Sequence, residues 1–326
     1  MALIIWGKFI GLLILVYVFG TKTAECANKI AEKKGLAKAF MGVVFISMVT
    51  SFPELFTGIS SVTIVESPDL AMGAILGSCI FNLLIIAIIE IAFRKNNFFQ
   101  LKGKINILPM AFSFILINVL TLAIAVAAKF KPAILNISGF SILIFVFYIF
   151  FLHIIFKERK VEKYKKAKST PINLKKEILL FIISSIIIIC VGFYLPVVGR
   201  EIAQLMNWND SFVGVIFLAF VTSFPELVVS FSTARMGAFD MLLGNITGSN
   251  LFNVAIVFFI DAFYIKSEVF GSVSRSNIAV GIIAMLMNFV LFFAVVRRSK
   301  QKILNLFSIN ALILILLYII NLFVAY

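Results

Sequence analysis

The feature that most constrains the fold is an internal repeat. The segment GVVFISMVTSFPEL at 42–55 recurs as GVIFLAFVTSFPEL at 214–227, and GSCIFN at 77–82 recurs as GSNLFN at 248–253. The two blocks recur in the same order, at offsets of 172 and 171 residues. Self-similarity at a fixed offset is typical of a duplicated structural unit. We therefore expect the chain to consist of two related halves.

Long apolar segments surround both copies. Hydrophobic residues make up 62% of the chain and charged residues only 13%, which excludes a soluble globule because too little polar surface remains. A helix needs roughly 20 apolar residues to cross the hydrocarbon core. Ten segments meet that length and predict an all-α integral membrane protein with ten transmembrane helices. They lie at 2–20, 39–65, 69–92, 105–128, 133–156, 176–199, 210–234, 238–264, 275–297 and 303–325.

The fifth and sixth spans are separated by the most basic segment of the chain, which contains KERKVEKYKKAKSTPINLKK. Five spans in each half is an odd number, so the second copy must enter the membrane from the opposite side. The sequence thus predicts two inverted-topology five-helix repeats. Their bounds are 1–156, with a motif region at 39–92, and 176–326, with a motif region at 210–264; a basic cytoplasmic linker at 157–175 joins them.

The net charge of +14 is explained by membrane topology. Lys and Arg concentrate in the gaps after odd-numbered spans, which predicts that these gaps are cytoplasmic and that both termini lie outside. No aromatic or glycine-rich RNA-binding motif accompanies them, so no nucleic-acid partner is expected. The pattern fits the cell (plasma) membrane of a prokaryote. The lipid bilayer is the expected surrounding, and no obligatory protein partner is evident.

Two acidic residues occupy matching positions in the repeat. Glu54 and Glu226 lie near the middle of spans 2 and 7, where an unpaired ionised carboxylate costs several kcal/mol. No Lys or Arg lies at matching depth in these spans, so a bound cation is the expected partner. Hydroxyls and amides at three- and four-residue spacing would share helix faces beside them. These hard oxygen donors suit Ca²⁺ or Na⁺ and are Thr50, Ser51, Ser78, Asn82, Thr222, Ser223, Ser249 and Asn253.

A proline precedes each of these glutamates. Pro53 and Pro225 have no amide hydrogen, so the carbonyls of Val49 and Val221 lose their usual helical donor. We expect a kink in the preceding turn of each helix. Freed carbonyls at membrane depth are tolerated where they line an ion site.

The repeated blocks resemble the two alpha repeats of the sodium/calcium exchanger family, in the calcium/cation antiporter superfamily, written GTSxPEL and GSNxFN or GSNxFD. The resemblance implies Na⁺/Ca²⁺ exchange by alternating access at a midplane site formed by both repeats, with Ca²⁺ and Na⁺ as the transported ions and no cofactor. Carried over position by position, it assigns ion ligands to the ten residues already named. It adds the backbone carbonyls of Ser47 and Ala219, seven residues before each glutamate.

The sequence departs from the family pattern at several positions. Val49 and Val221 replace the glycine before the TS pair, which places stiff β-branched residues where the helix should bend. Cys79 replaces the asparagine of GSN in the first copy, and Ala74 stands opposite Asn245. The two halves are therefore not chemically equivalent.

Both Asn82 and Asn253 are amides, whereas some relatives have an aspartate at one or both positions. Two carboxylates neutralise one Ca²⁺ or two Na⁺, which leaves the stoichiometry open. A proton- or potassium-coupled exchanger and, in a different class, a cation channel remain alternatives. An enzyme is not expected, because a metalloprotease motif such as HExxH needs two histidines and the chain has one.

Other acidic residues also recur at the 171-residue offset. Asp69 and Asp240 start spans 3 and 8, where we predict that they act as helix N-caps. Glu90 and Asp261 lie near the ends of the same spans. We expect these two to be solvated at the membrane interface, and an accessory vestibule role remains open.

Overall fold

The computed structural model describes residues 2–33, 44, 46–93, 107–127, 133–134, 136–159, 173–297, 302–303 and 307–326. Within these ranges the chain is helical apart from short connecting turns and loops and two short antiparallel hairpins, which confirms the predicted all-α class. Most of the basic linker predicted at 157–175 lies outside the described residues.

The first half contains seven described helices and one hairpin. The elements are α1 (Ala2–Leu15), continued by a π turn (Val16–Gly20) into α2 (Thr21–Lys33), then α3 (Ser47–Thr50), α4 (Phe52–Thr63), α5 (Pro68–Ala92), α6 (Ile107–Val126), β1 (Ala133–Ile134), β2 (Ile137–Ser138) and α7 (Gly139–Arg159).

The described part of the second half has the same order of elements from its broken helix onward. The elements are α8 (Leu174–Met206), α9 (Asp210–Val213), a π turn (Gly214–Leu218), α10 (Ala219–Thr222), α11 (Phe224–Arg235), α12 (Phe239–Phe263), a 3₁₀ turn (Phe270–Ser272), α13 (Ser276–Val296), β3 (Lys302–Ile303), β4 (Phe307–Ser308) and α14 (Ile309–Ala325).

The described helices include enough long apolar segments for a protein that crosses the membrane repeatedly. Six of them are long and apolar enough to cross a bilayer, and the bent pair 210–222 and 224–235 makes a seventh. Two shorter apolar helices are Gly139–Ile155 and Ile309–Ala325. The total of ten spans stays a prediction.

Four predicted helix boundaries were wrong. One is the end of span 6, because α8 continues past residue 199 to Met206. The first helix does not end at residue 20 but continues to Lys33, because its π turn joins an amphipathic extension to the apolar segment. Spans 5 and 10 begin at 139 and 309 instead of 133 and 303. A hairpin precedes each of them, and the Ser308 hydroxyl caps α14 by accepting from the Ala311 amide.

Helices α5 and α12 form the centre of the molecule. The apolar windows of α5 and α12 are 94% and 78% buried inside the protein, compared with 22% for the first helix and 28% for α8. Because α5 and α12 carry the GSCIFN and GSNLFN blocks, the repeated polar residues lie deep in the protein and away from lipid.

Close helix packing depends on glycines where α5 contacts α9 and the π turn that follows it. A Cβ atom at Gly77 would lie 2.3 Å from the backbone oxygen of Val215, and one at Gly73 would lie 2.6 Å from that of Ser211. Backbone atoms cannot move aside as a flexible side chain can. Small residues at such contacts allow membrane helices to approach closely.

Replacing Gly77 with alanine should destabilise the protein strongly, because the added methyl group meets backbone on the neighbouring element. We expect a loss of monodisperse protein and a lower midpoint of thermal unfolding in detergent, with a cost of roughly 1–3 kcal/mol or more. Gly7→Ala is the matched control, since a Cβ there has nothing within 4 Å. An equal loss in both variants would contradict the packing argument.

The predicted roles of four acidic residues were wrong. Ser67, and not Asp69, caps α5, and Ala238, not Asp240, holds the cap position before α12. Asp69 Oδ1 instead accepts from the Ser274 amide and the Asn277 side chain, at 2.6 and 3.0 Å. Asp69 is the second residue of α5, and from there its side chain contacts the loop that precedes α13.

Glu90 and Asp261 are buried, not solvated at the interface. Glu90 accepts from the amide of Ser308 at 3.0 Å and from its hydroxyl at 2.8 Å. Asp261 accepts from the Ser138 amide at 2.6 Å, from the Val269 amide at 2.7 Å and from the Ser141 hydroxyl. Each carboxylate thus anchors the start of a helix in the opposite half.

Candidate cation site

The repeated motif breaks its helix at a serine. Ser51 has φ −89° and ψ 14°, and Ser223 has φ −85° and ψ 10°. The next helix then starts with Phe-Pro in both halves, a position where the missing amide hydrogen of proline leaves no helical bond unmade. The predicted kinks are confirmed at these residues, with a bend of 46° in the second half.

The valines that replace the family glycine do not lie at the break. Val49 and Val221 lie inside the preceding helical segments, one residue before their ends, and are buried. The chain changes direction two residues later, at serines that tolerate the required backbone angles. A β-branched residue before the TS pair is therefore compatible with the bend.

The breaks place Glu54 and Glu226 in the first turns of α4 and α11. The amino end of a helix carries a partial positive charge that stabilises a nearby carboxylate. The side chains are 1% and 0% exposed. The sequence alone suggested mid-helix glutamates, and the prolines were the signal from which this terminal position could have been inferred.

Each glutamate is held by a serine from the opposite half. The Ser51 hydroxyl donates to Glu226 Oε1 at 2.9 Å, and the Ser223 hydroxyl donates to Glu54 Oε1 at 3.1 Å. Ser51 and Ser223 occupy the same position in the repeat, as do Glu54 and Glu226, so the two bonds are counterparts of each other. The two broken helices therefore meet in one shared cluster.

Hydroxyls from α5 and α12 complete the contacts around this cluster. Ser249 donates to Glu226 Oε1 at 3.2 Å, and its oxygen lies 3.5 Å from Thr50 Oγ1. Ser78 Oγ lies 3.3 Å from Thr222 Oγ1. Sequence spacing predicted which of these polar residues share a helix face. The contacts between different helices could not be predicted from spacing.

Several oxygens of the cluster have no hydrogen-bond partner among the described residues. Burial without a partner is costly for a polar atom, and none of the ion pairs found in this part of the chain involves Glu54 or Glu226. A cation would satisfy oxygens of this kind. They are Glu54 Oε2, Glu226 Oε2, Asn82 Oδ1 and Asn253 Oδ1.

Ser47 and Ala219, the two carbonyl positions, are also buried. The Ser47 oxygen accepts from the Ser51 amide at 3.1 Å and from the Thr50 hydroxyl at 3.2 Å. The Ala219 oxygen accepts from the Ser223 amide at 3.0 Å and the Thr222 hydroxyl at 3.4 Å. Ion binding by these carbonyls would replace the hydroxyl contacts, and it stays a prediction.

Asn250 is a residue of the site region that sequence reasoning missed. Its side chain donates to the backbone oxygen of Cys79 at 3.2 Å and accepts from Asn82 Nδ2 at 2.9 Å. The available signal was its place in GSNLFN opposite Cys79 in GSCIFN.

Comparison with known proteins gives consistent matches over most of the chain. A family model described as sodium/calcium exchanger protein matches residues 4–157 and 176–326. An uncharacterized membrane protein of Methanocaldococcus jannaschii is 27% identical over 258 residues, which cover 76% of this chain and 78% of that protein. The sodium/calcium exchanger MaX1 of Methanosarcina acetivorans is 27% identical over 146 residues, which cover 44% of this chain and 41% of MaX1.

A solved structure shares the overall fold. The sodium-calcium exchanger NCX_Mj, in a structure soaked with 10 mM Na⁺ and zero Ca²⁺, has a TM-score of 0.65 and 20% sequence identity. The match covers 98% of both chains. At this identity the likeness describes the fold alone.

Proposed function

The chain belongs to the sodium/calcium exchanger protein family, and from that premise we propose that it is a secondary active antiporter that exchanges Na⁺ for Ca²⁺ by alternating access. The observation that carries the proposal is the reciprocal pair of bonds from Ser51 to Glu226 and from Ser223 to Glu54. This pair joins the matching residues of both halves into one cluster. Relatives named as sodium/calcium exchangers add support.

The proposed ion ligands are the side chains of the cluster together with two carbonyls. Glu54 and Glu226 supply the negative charge, while hydroxyls and amides supply neutral oxygens. Such oxygens suit Na⁺ and Ca²⁺, which are hard cations. The neutral ligands are Thr50, Ser51, Ser78, Asn82, Thr222, Ser223, Ser249 and Asn253, with the carbonyls of Ser47 and Ala219.

Exchange follows from competition for the same two charges. Two carboxylates are neutralised by one Ca²⁺ or by two Na⁺, and both loads together would leave several positive charges buried in a low-dielectric site. Bound Na⁺ must therefore leave before Ca²⁺ can bind with full affinity. An inverted pair of repeats allows the site to face each side of the membrane in turn.

The proposed architecture has ten transmembrane helices in two inverted repeats. The repeats occupy 1–156 and 176–326 and are joined by a basic cytoplasmic linker at 157–175. The two segments matched by the family model, 4–157 and 176–326, support this division. We place both termini outside and the protein in the cell membrane of a prokaryote, consistent with the archaeal and bacterial origin of its relatives.

Purified protein in liposomes should take up ⁴⁵Ca²⁺ when an outward Na⁺ gradient is imposed. Parallel vesicles with an equal K⁺ gradient or a pH gradient should give no more uptake than vesicles without a gradient. Uptake driven only by the K⁺ gradient or only by the pH gradient would show that K⁺ or H⁺, and not Na⁺, is the coupling ion. Single-channel currents with uncoupled Ca²⁺ flux would overturn antiport altogether.

A further inference from the structure

The side chain of Asn250 connects the two GSN-type blocks where α5 and α12 pack together. Its Nδ2 atom donates to the backbone oxygen of Cys79 at 3.2 Å, and its Oδ1 atom accepts from Asn82 Nδ2 at 2.9 Å. The three residues are fully buried. The two bonds form a short relay from the backbone of α5, through α12, to a proposed ion ligand on α5.

The relay determines which way the Asn82 amide faces. A backbone oxygen can only accept, so Asn250 must direct its NH₂ group toward Cys79 and its oxygen toward Asn82. Asn82 must then present its NH₂ group to that oxygen. The Asn82 oxygen is thereby directed away from Asn250, and it has no hydrogen-bond partner among the described residues.

The other half of the site has only a weaker form of this relay. The repeat offset makes Cys79 the counterpart of Asn250 and Asn253 the counterpart of Asn82. A thiol is a weak donor and a weak acceptor, so Cys79 can make only weak contacts where Asn250 makes two amide hydrogen bonds. The Cys79 thiol donates to the Asn250 backbone oxygen over 4.0 Å, and its sulfur contacts the Asn253 side chain. Neither amide atom of Asn253 has a nitrogen or oxygen hydrogen-bond partner among the described residues.

We propose that Asn250 is a positioning residue that directs the Asn82 oxygen into the cation site, and that Cys79, a weaker hydrogen-bonding partner, holds Asn253 less firmly. This inference rests on the proposed cation site. It makes the two halves unequal, because Asn82 is a more preorganised ligand than Asn253. Preorganised ligands bind more tightly because the cost of ordering them has already been met during folding.

Exchanging the two residues between the halves tests the relay. Asn250→Cys should weaken equilibrium ⁴⁵Ca²⁺ binding about tenfold, the usual size of one buried hydrogen bond. The double variant Asn250→Cys with Cys79→Asn should recover most of the affinity, because the relay then orders Asn253 instead of Asn82. Cys79→Asn alone should bind Ca²⁺ more tightly than the wild type, since both amides are then supported.

Binding is measured on monodisperse protein, so that loss of folding is not read as loss of affinity. Cys190→Ser, at an exposed cysteine, is the control and should bind as the wild type does. In liposomes, Asn250→Cys should raise the KM for Ca²⁺ more than it lowers kcat, as expected for a lost binding contact. A merely structural Asn250 would not give recovery in the exchanged double variant.

Wild-type affinity in Asn250→Cys, or no recovery in the double variant, would overturn the relay. Unchanged or weaker binding by Cys79→Asn would overturn the role given to Cys79. If the variants show the expected order of Ca²⁺ affinities while the protein shows no Na⁺-driven uptake, that result would support the relay and reject the proposed function. The two proposals therefore fail separately.

Discussion

Replacing Glu54 or Glu226 with glutamine is expected to abolish Na⁺/Ca²⁺ exchange in a protein that still folds. Glutamine keeps the size of the side chain and an oxygen that can accept from Ser223 or Ser51. It removes one of the two negative charges of the site. A buried Ca²⁺ would then keep a net positive charge, and an uncompensated buried charge costs about 3–5 kcal/mol.

That cost corresponds to a loss of at least a hundredfold in exchange rate at limiting Ca²⁺. The measurement is Na⁺-driven ⁴⁵Ca²⁺ uptake in liposomes, with Glu25→Gln as the control because Glu25 is exposed on α2. The variant carrying both glutamines should be no less active than either single variant, since one shared site is lost in each case. Retention of a tenth of wild-type exchange in Glu54→Gln would contradict an essential charge.

Asp261→Asn is expected to produce a large loss of stability. The two oxygens of Asp261 accept from the amides of Ser138 and Val269 and from the Ser141 hydroxyl. The backbone amides can only donate and lie at different oxygens, so an asparagine must turn its NH₂ group toward one of them. That contact loses a charged hydrogen bond and leaves a buried donor unpaired, at a cost on the order of 3 kcal/mol or more.

Thermal unfolding in detergent checks this prediction. Asp261→Asn should lower the unfolding midpoint by several degrees or prevent isolation of monodisperse protein. Glu25→Gln, the same carboxylate-to-amide change at an exposed position, should leave the midpoint unchanged. A wild-type midpoint for Asp261→Asn would mean that the contacts to the start of α7 contribute little.

Much of the site was predictable because the duplication marks it. Matching positions in two copies identified Glu54 and Glu226, and helical spacing placed Thr50, Ser51 and their counterparts beside them. Pro53 and Pro225 predicted the broken helices, which the structure confirms at Ser51 and Ser223. These are local signals, so the positions of these residues could be predicted from the sequence. That they bind an ion stays a prediction.

Contacts between distant segments were not predictable in this way. Glu90 and Asp261 looked like interfacial carboxylates because sequence position gives depth along a helix but not the neighbour that faces it. Each in fact reaches a serine in the opposite half. The hairpins before α7 and α14 escaped prediction because their residues continue the apolar pattern of the helices that follow.

The packing of Asn250 against Cys79 is a third case. The substitution of cysteine for asparagine was visible in the sequence, but its consequence depends on which side chains meet where α5 and α12 pack together. Only the fold brings Asn250 within 2.9 Å of Asn82. A departure from a family pattern thus identifies a position, and the contacts assign it a role.

Locating a bound divalent ion tests the central claim most directly. Crystals of the protein soaked in Sr²⁺ should show an anomalous difference peak between the carboxylates of Glu54 and Glu226, about 2.3–2.6 Å from their oxygens as for Ca²⁺. Raising the Na⁺ concentration should remove the peak, because Na⁺ and the divalent ion compete for the same charges. A Sr²⁺ peak elsewhere in the protein, or one that Na⁺ does not displace, would contradict a shared cation site centred on these two glutamates.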